Sequence, residues 1–205
     1  MTVALSEWES KRLLGPALPL PREARTTSAG QAAEFGTALG GPLVAKASGV
    51  AHKSDAGLVR TGLTPARLAD CWAELAVAGD GTVLVAEQVT GELELIVGGS
   101  RDQAFGALIT VGIGGVAAEV FDDVAVLLSP PEPGELSAAL SRLRASALLQ
   151  GHRGAPPVDQ LALARIVDLV AAALDRDPGI VEIDCNPVLI REGRPTVLDA
   201  LVVKR

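Results

Sequence analysis

Polar and apolar residues alternate strictly from Val181 to Asn186: 181, 183 and 185 are apolar, and 182, 184 and 186 are polar. A period of two puts Glu182, Asp184 and Asn186 on one face of a strand. Glu192-Gly193 then reads as a hairpin turn, with Arg191 opposite Arg194. In that register Asn186 faces Asp199, and a one-residue slip would turn Asp199 to the other face. Pro195 removes one donor from this ladder. Elsewhere the pattern changes period and predicts helices. Ser6-Glu7-Trp8-Glu9 is a capping box for a helix to about Leu14, and Ser28-Ala29-Gly30-Gln31 opens another that Gly40-Gly41 ends. Thr64-Pro65 starts a helix to about Ala78. Glu135–Leu149 is helical with a break near Ser146, and Asp159–Leu174 is the strongest helix. Short strands are expected near Glu23–Thr26, Pro42–Ala47, Gly57–Gly62 and Val124–Leu128. Thr82–Val89, Glu92–Ser100 and Gly106–Val111 read as three strands of one sheet. Mixed in this order, the elements predict an α+β fold with more than one sheet.

Composition narrows the partners. Of 205 residues 48% are hydrophobic, enough for a core in one domain or two small lobes, yet aromatics are 2%, so that core is Leu, Val, Ala and Ile. The net charge of −7 argues against nucleic acid or an anionic membrane as a partner. Met1 to Glu7 lacks the basic start and apolar run of a signal peptide, and no apolar run is long enough to cross a bilayer. The expected location is the cytoplasm. Cys71 and Cys185 fit no metal spacing and read as reduced core thiols.

The acidic strand carries the sharpest candidate chemistry. Opposed cross-strand residues have Cβ atoms about 4.5–5.5 Å apart. Asn186 and Asp199 at that spacing can share Mg²⁺, which takes oxygen ligands at about 2.0–2.1 Å and completes its shell with phosphates. The bland alternative is an edge hairpin with a solvated acidic face. Lys46, inside an apolar strand, is either a phosphate contact or a snorkelling edge-strand lysine. His52, in the loop Ser48 to Gly57, has the chemistry to accept a phosphoryl group on nitrogen, or it is surface decoration. Glu87 and Gln88 end a strand as a hinge that reads adenine or as a plain hairpin turn. Glu92 and Glu94 face a ribose or a metal, or simply solvent. Gly112-Ile113-Gly114-Gly115 can offer backbone N–H groups to phosphate, and Gly151-His152-Arg153-Gly154 is a turn with two anion contacts.

Taken in order, these stretches resemble one family. Pro42-Leu43-Val44-Ala45-Lys46, Ala51-His52-Lys53-Ser54-Asp55-Ala56-Gly57, Glu94 to Gly98 with Arg101-Asp102 and Phe105-Gly106, Gly112 to Gly115, Leu148 to Gly154 and Glu182 to Pro187 are similar to the ATP-grasp (β) subunit or domain of the NDP-forming acyl-CoA synthetases, exemplified by ADP-forming acetyl-CoA synthetase and related to succinyl-CoA synthetase. The resemblance covers nearly the whole chain. It implies an ATP-grasp fold over residues 1–205. A smaller nucleotide-covering lobe runs about 20–88 and a larger one about 89–205, with the helix 6–14 packed on the larger, and the two clamp a Mg-nucleotide.

The resemblance also implies roles. Lys46 contacts nucleotide phosphates, and Glu87 with Gln88 and Val89 forms the adenine hinge. Glu94 lies on the nucleotide face, with Gly114 and Gly115 in the glycine loop. Asn186 and Asp199 hold Mg²⁺, Asp184 lies near the transferred phosphoryl group, and His52 carries phosphate between the ATP/ADP site and a CoA-ligase site. An α-type subunit with CoA-binding and CoA-ligase domains is implied as partner. The chain departs from the family pattern at Leu58, where a second glycine is usual, at His152, where an aromatic is more common, and in a shortened Leu63–Val83 segment. Two alternatives stand beside the synthetase reading: a nucleotide-sensing module without phosphoryl transfer, and an ATP-grasp carboxylate ligase acting through an acyl phosphate.

Overall fold

The alternating segment lies within the longest strand of the protein's computed structural model, which describes residues 2–50, 53, 56–115, 122–152 and 154–205. Two units result. One comprises Met1–Ala4, Ser10–Pro19 and Thr90–Arg205, and the other Leu5–Glu9 and Leu20–Val89. Helix α1 (Glu7–Leu14) is therefore divided between them. Its capping box forms as expected: Ser6 Oγ donates to Glu9 Oε2 at 2.6 Å, and the Glu9 N–H donates to Ser6 Oγ at 3.3 Å.

Among the described residues the smaller unit carries a four-stranded antiparallel sheet in the order β2 (Glu23–Thr26), β5 (Val83–Glu87), β3 (Leu43–Ala47), β4 (Val59–Leu63). Helices α2 (Ala29–Leu39) and α3 (Pro65–Ala78) pack against it. Their starts are local: Ser28 Oγ accepts from the Gln31 N–H, and Thr64 Oγ1 from the Arg67 N–H. The reciprocal arm of the second box goes elsewhere, since Gln31 Oε1 accepts from the Thr27 N–H at 3.0 Å. Gly40 closes α2 in the left-handed conformation at φ +73°. Leu43, Leu68, Leu75 and Val85 form the core.

One expectation is corrected here. β5 does not share a sheet with the two strands that follow it; it lies between β2 and β3, with Val83 to Ala86 all buried. A strand apolar on both faces needs neighbours and covers on all sides, and the link 88–92 takes the chain from one sheet to the other. The plain hairpin reading of Glu87-Gln88 falls with it.

Among the described residues the larger unit carries a seven-stranded antiparallel sheet. Its order is β1 (Val3–Ala4), β11 (Leu201–Lys204), β9 (Ile180–Arg191), β6 (Leu93–Asp102), β7 (Gly106–Ile113), β8 (Val124–Leu128), with β10 (Arg194–Val197) also on β9. β1 has no strong sequence signal, being two residues long. The break near Ser146 separates α4 (Glu135–Arg142) from α5 (Ser146–Leu149). α6 (Gln160–Arg176), capped by the Asp159 carboxylate, packs on β6 and β7 and buries Val167, Val170 and Leu174. It sits close because Gly99 has no side chain: a Cβ there would lie 2.7 Å from Val170 Cγ1.

Candidate functional site

In the larger unit the hairpin register is the one the turn dictates. Arg194 pairs with Arg191 and Val197 with Val188, while Leu201 pairs with Asp184, in the same alignment, beyond a three-residue break. The Leu198 N–H bonds Pro187 O at 3.0 Å across that break, which leaves Asp199 level with Asn186. Glu192 and Gly193 take positive φ, 50° and 77°, as a tight hairpin turn requires. β9 is an interior strand, not an edge: β6 lies on its other side, pairing Glu94 with Leu189 and Gly98 with Asp184. Ile183 and Cys185 are buried, whereas Asp184 and Asn186 are half-buried on the opposite face.

The glycine loop joins this group. Asn186 Oδ1 accepts the Gly115 N–H at 2.9 Å, and the Gly114 N–H donates to Glu94 O at 2.9 Å. Gly115 has φ +61°, and a Cβ there would fall on the Glu94 carboxylate. Glu94, Gly114, Gly115 and Asn186 are thus brought together, with Asp199 in register beside them. An amide oxygen keeps a second lone pair after one hydrogen bond. Asn186 and Asp199 offer hard oxygen donors, the kind Mg²⁺ prefers. Among the described residues no group of three His, Cys, Asp or Glu side chains gathers as an all-protein cage would need. A metal held by few protein oxygens fits this donor set.

Cys185 lies behind the acidic face and is fully buried. Burial, with Asp184 and Asp199 nearby, pushes its thiol from 9.0 up to about 12. The folded state therefore holds this proton more tightly than the unfolded chain. Its contribution to stability is complete below about pH 9 and is lost as pH rises toward about 12. Wild type is expected to lose stability relative to Cys185→Ala between pH 8 and pH 11, read as urea midpoints; parallel curves for the two proteins would sink the assignment. Cys71 is raised as well, chiefly by burial.

In the smaller unit Lys46 is on the interior strand β3, so the snorkelling edge-strand reading does not hold. Its ammonium donates to Glu7 Oε1 at 2.8 Å, and Lys53 Nζ lies 3.1 Å from Glu7 Oε2. The three side chains are 12%, 3% and 8% exposed for Lys46, Glu7 and Lys53. Sequence reasoning missed Glu7 because an acidic residue is ordinary in a helix's first turn, and its cationic partner is 39 positions away.

His52 lies outside the described residues; Ser48, Lys53 and Leu58 near it in the chain are described. Ser48 Oγ donates to Asp80 Oδ2 at 2.9 Å, and the Asp80 N–H to Ser48 O at 2.9 Å. Burial works to raise the Asp80 carboxyl, but hydrogen bonds from Thr82 and Ser48 hold it below the usual range. On the far side the Leu58 N–H bonds Lys53 O at 2.8 Å, and Leu58 packs on the core with Val50. Leu58 is thus used as a hydrophobic anchor.

At the expected hinge, Glu87 is engaged by Arg22: its Oε1 accepts the Arg22 N–H at 2.9 Å and its Oε2 the Nε–H at 2.8 Å. Gln88 Oε1 accepts the Gly62 N–H at 2.6 Å, and the Gln88 N–H donates to Pro42 O. Val89 is half-buried beside them. Both polar side chains hold their own unit together.

A family model for the ATP-grasp domain matches residues 2–203. The chain is 34% identical to a trans-feruloyl-CoA synthase, FCS1, of an unknown prokaryotic organism, over 96% of this chain and 30% of that protein. It is 30% identical to the β subunit of acetate–CoA ligase [ADP-forming] I of Pyrococcus furiosus, over 97% of this chain and 91% of the subunit. So it spans under a third of the first relative and nearly all of the second. The dinucleotide forming acetyl-coenzyme A synthetase 1 of Ca. Korarchaeum cryptofilum, in complex with coenzyme A, Ca-AMPCP and HgCl⁺, superposes with a TM-score of 0.88 at 28% identity, covering 98% of this chain and 93% of that one. A second structure of that synthetase, with coenzyme A and Mg-AMPPCP and with its phosphohistidine segment pointing towards the nucleotide binding site, gives 0.83 at 29% identity, covering 97% and 92%.

Proposed function

The chain belongs to the ATP-grasp domain family and, within it, to the family of the ADP-forming acetate–CoA ligase β subunits, and from that premise we propose that it is the nucleotide-binding subunit of an ADP-forming acyl-CoA synthetase. The overall reaction is acyl-CoA + ADP + phosphate ⇌ carboxylic acid + CoA + ATP. The observation that carries the reading is Asn186 level with Asp199, bonded to Gly115 beside Glu94, in a chain matching the β subunit over almost its full length.

Phosphoryl transfer needs charge neutralisation and in-line positioning more than covalent help. Lys46 contacts the nucleotide phosphates. Glu87, Gln88 and Val89 line the adenine end through their backbone, since the Glu87 carboxylate and the Gln88 amide oxygen are already engaged. Asn186 and Asp199 hold Mg²⁺, which supplies positive charge to the phosphate oxygens when bound. Gly114 and Gly115 bring the loop backbone close to the phosphates, with Glu94 on the same face, and Asp184 stands near the transferred group. A His52 ring nitrogen takes the γ-phosphoryl group as the bond to the ADP oxygen breaks, and later gives it up at the CoA-ligase site. That site belongs to an α-type subunit with CoA-binding and CoA-ligase domains, and the assembly works in the cytoplasm. No described helix is long and apolar enough to cross a membrane.

The test is to incubate this chain and its α-type partner with Mg²⁺ and γ-labelled ATP, then separate the subunits. Base-stable, acid-labile label on this chain is expected, and its absence in His52→Ala with nucleotide binding kept. Nucleotide binding without label, partner present, would make the chain a sensor instead.

A further inference from the structure

The proposed transfer uses Lys46 and His52, the chain neighbour of Lys53, and leaves unexplained the buried acid that lies against both lysines. Glu7 is 3% exposed, in the first turn of α1, where the helix macrodipole favours a carboxylate. The Ser6–Glu9 capping box fixes the start of that helix, and with it the place of Glu7. One Glu7 oxygen takes the Lys46 ammonium at 2.8 Å and the other lies 3.1 Å from Lys53 Nζ. Lys46 lies near the end of the interior strand β3, and Lys53 directly follows His52 in the chain. A structural ion pair needs one cation. Here a single carboxylate sets the phosphate-contacting lysine and the neighbour of the phosphoryl acceptor from one rigid point.

We propose that Glu7 is a positioning residue for phosphoryl transfer, fixing Lys46 and the Lys53 side of the 48–58 loop with the two oxygens of one carboxylate. The proposal rests on the reading that Lys46 and His52 serve that transfer. Its electrostatics give a split that a folding defect does not imitate. A carboxylate beside Lys46 repels an incoming phosphate, so neutralising it keeps or strengthens nucleotide binding. The same change removes the charged anchor that both lysines share, and misplacement of about 1 Å can cost roughly 100-fold in rate.

The experiment measures single-turnover labelling of this chain from γ-labelled ATP, and Mg-nucleotide affinity by calorimetry, in the complex with the α-type partner. Glu7→Gln is expected to label about 100-fold more slowly while binding nucleotide at least as tightly, and Glu7→Asp to recover part of the rate. Lys53→Met, which keeps the Glu7–Lys46 pair, is expected to slow labelling with affinity unchanged. It carries the test should Glu7→Gln fail to fold. Wild-type labelling rates in the folded variants would overturn the positioning role and leave the proposed function standing. Weakening of binding and rate together would reduce Glu7 to a structural clamp. Absence of label on wild type would overturn the functional reading and this inference with it.

Discussion

Asp199→Asn is expected to cut label transfer from ATP by at least about 100-fold at low Mg²⁺, and to recover much of it as Mg²⁺ is raised. The substitution is nearly isosteric and removes one charge, so it tests the metal role with little disturbance of packing. Perturbing even the surroundings of a metal ligand commonly costs about 10–100-fold in affinity or activity, and loss of a ligand's charge belongs at or above that range. The expected signature is a displaced Mg²⁺ titration with an unchanged urea midpoint. Asn186→Ala is the less clean partner experiment, because Asn186 Oδ1 also receives the Gly115 N–H. Removing it would take a hydrogen bond from the glycine loop as well as an oxygen from the proposed metal site. Identical Mg²⁺ titrations for Asp199→Asn and wild type would remove Asp199 from the site.

Leu68→Ala is expected to destabilise the smaller unit by about 2–5 kcal/mol, the range for deleting a fully buried leucine side chain. Leu68 on α3 has no exposed surface, and the space around it is already closed: a Cβ on Gly36 of α2 would lie 3.4 Å from Leu68 Cδ2 and 2.6 Å from Leu43 Cδ1. With α2, α3 and β3 meeting this tightly, little collapse can refill the cavity. Urea unfolding, with hydrogen exchange to localise the loss to α2, α3 and β3, reads the effect. The consequence reaches the proposed phosphate contact, since Leu43 and Lys46 share β3, and nucleotide affinity should fall with stability. A loss below about 1 kcal/mol would mean that the site collapses far more easily than its packing implies.

Much of this was legible in the sequence. Capping boxes at Ser6 and Ser28, the Thr64-Pro65 start and the Glu192-Gly193 turn are read within a few residues of themselves. Hydrogen bonds of that range form in the same way wherever the segment sits. The same local logic carried the register from the turn to Asn186 and Asp199, because period-two alternation leaves one face for each side chain. Tertiary structure alone decided which strands became neighbours. Val83–Glu87 has the apolar content of either sheet, and only its pairing with β2 and β3 assigns it. It also decided that Gly115 meets Asn186, that Leu58 anchors the loop, and that Glu7 serves Lys46 and Lys53 as well as its helix. Those partners lie tens of residues apart. No local period, cap or turn encodes which distant side chain will satisfy a buried charge; that follows from the packing that brings the two together.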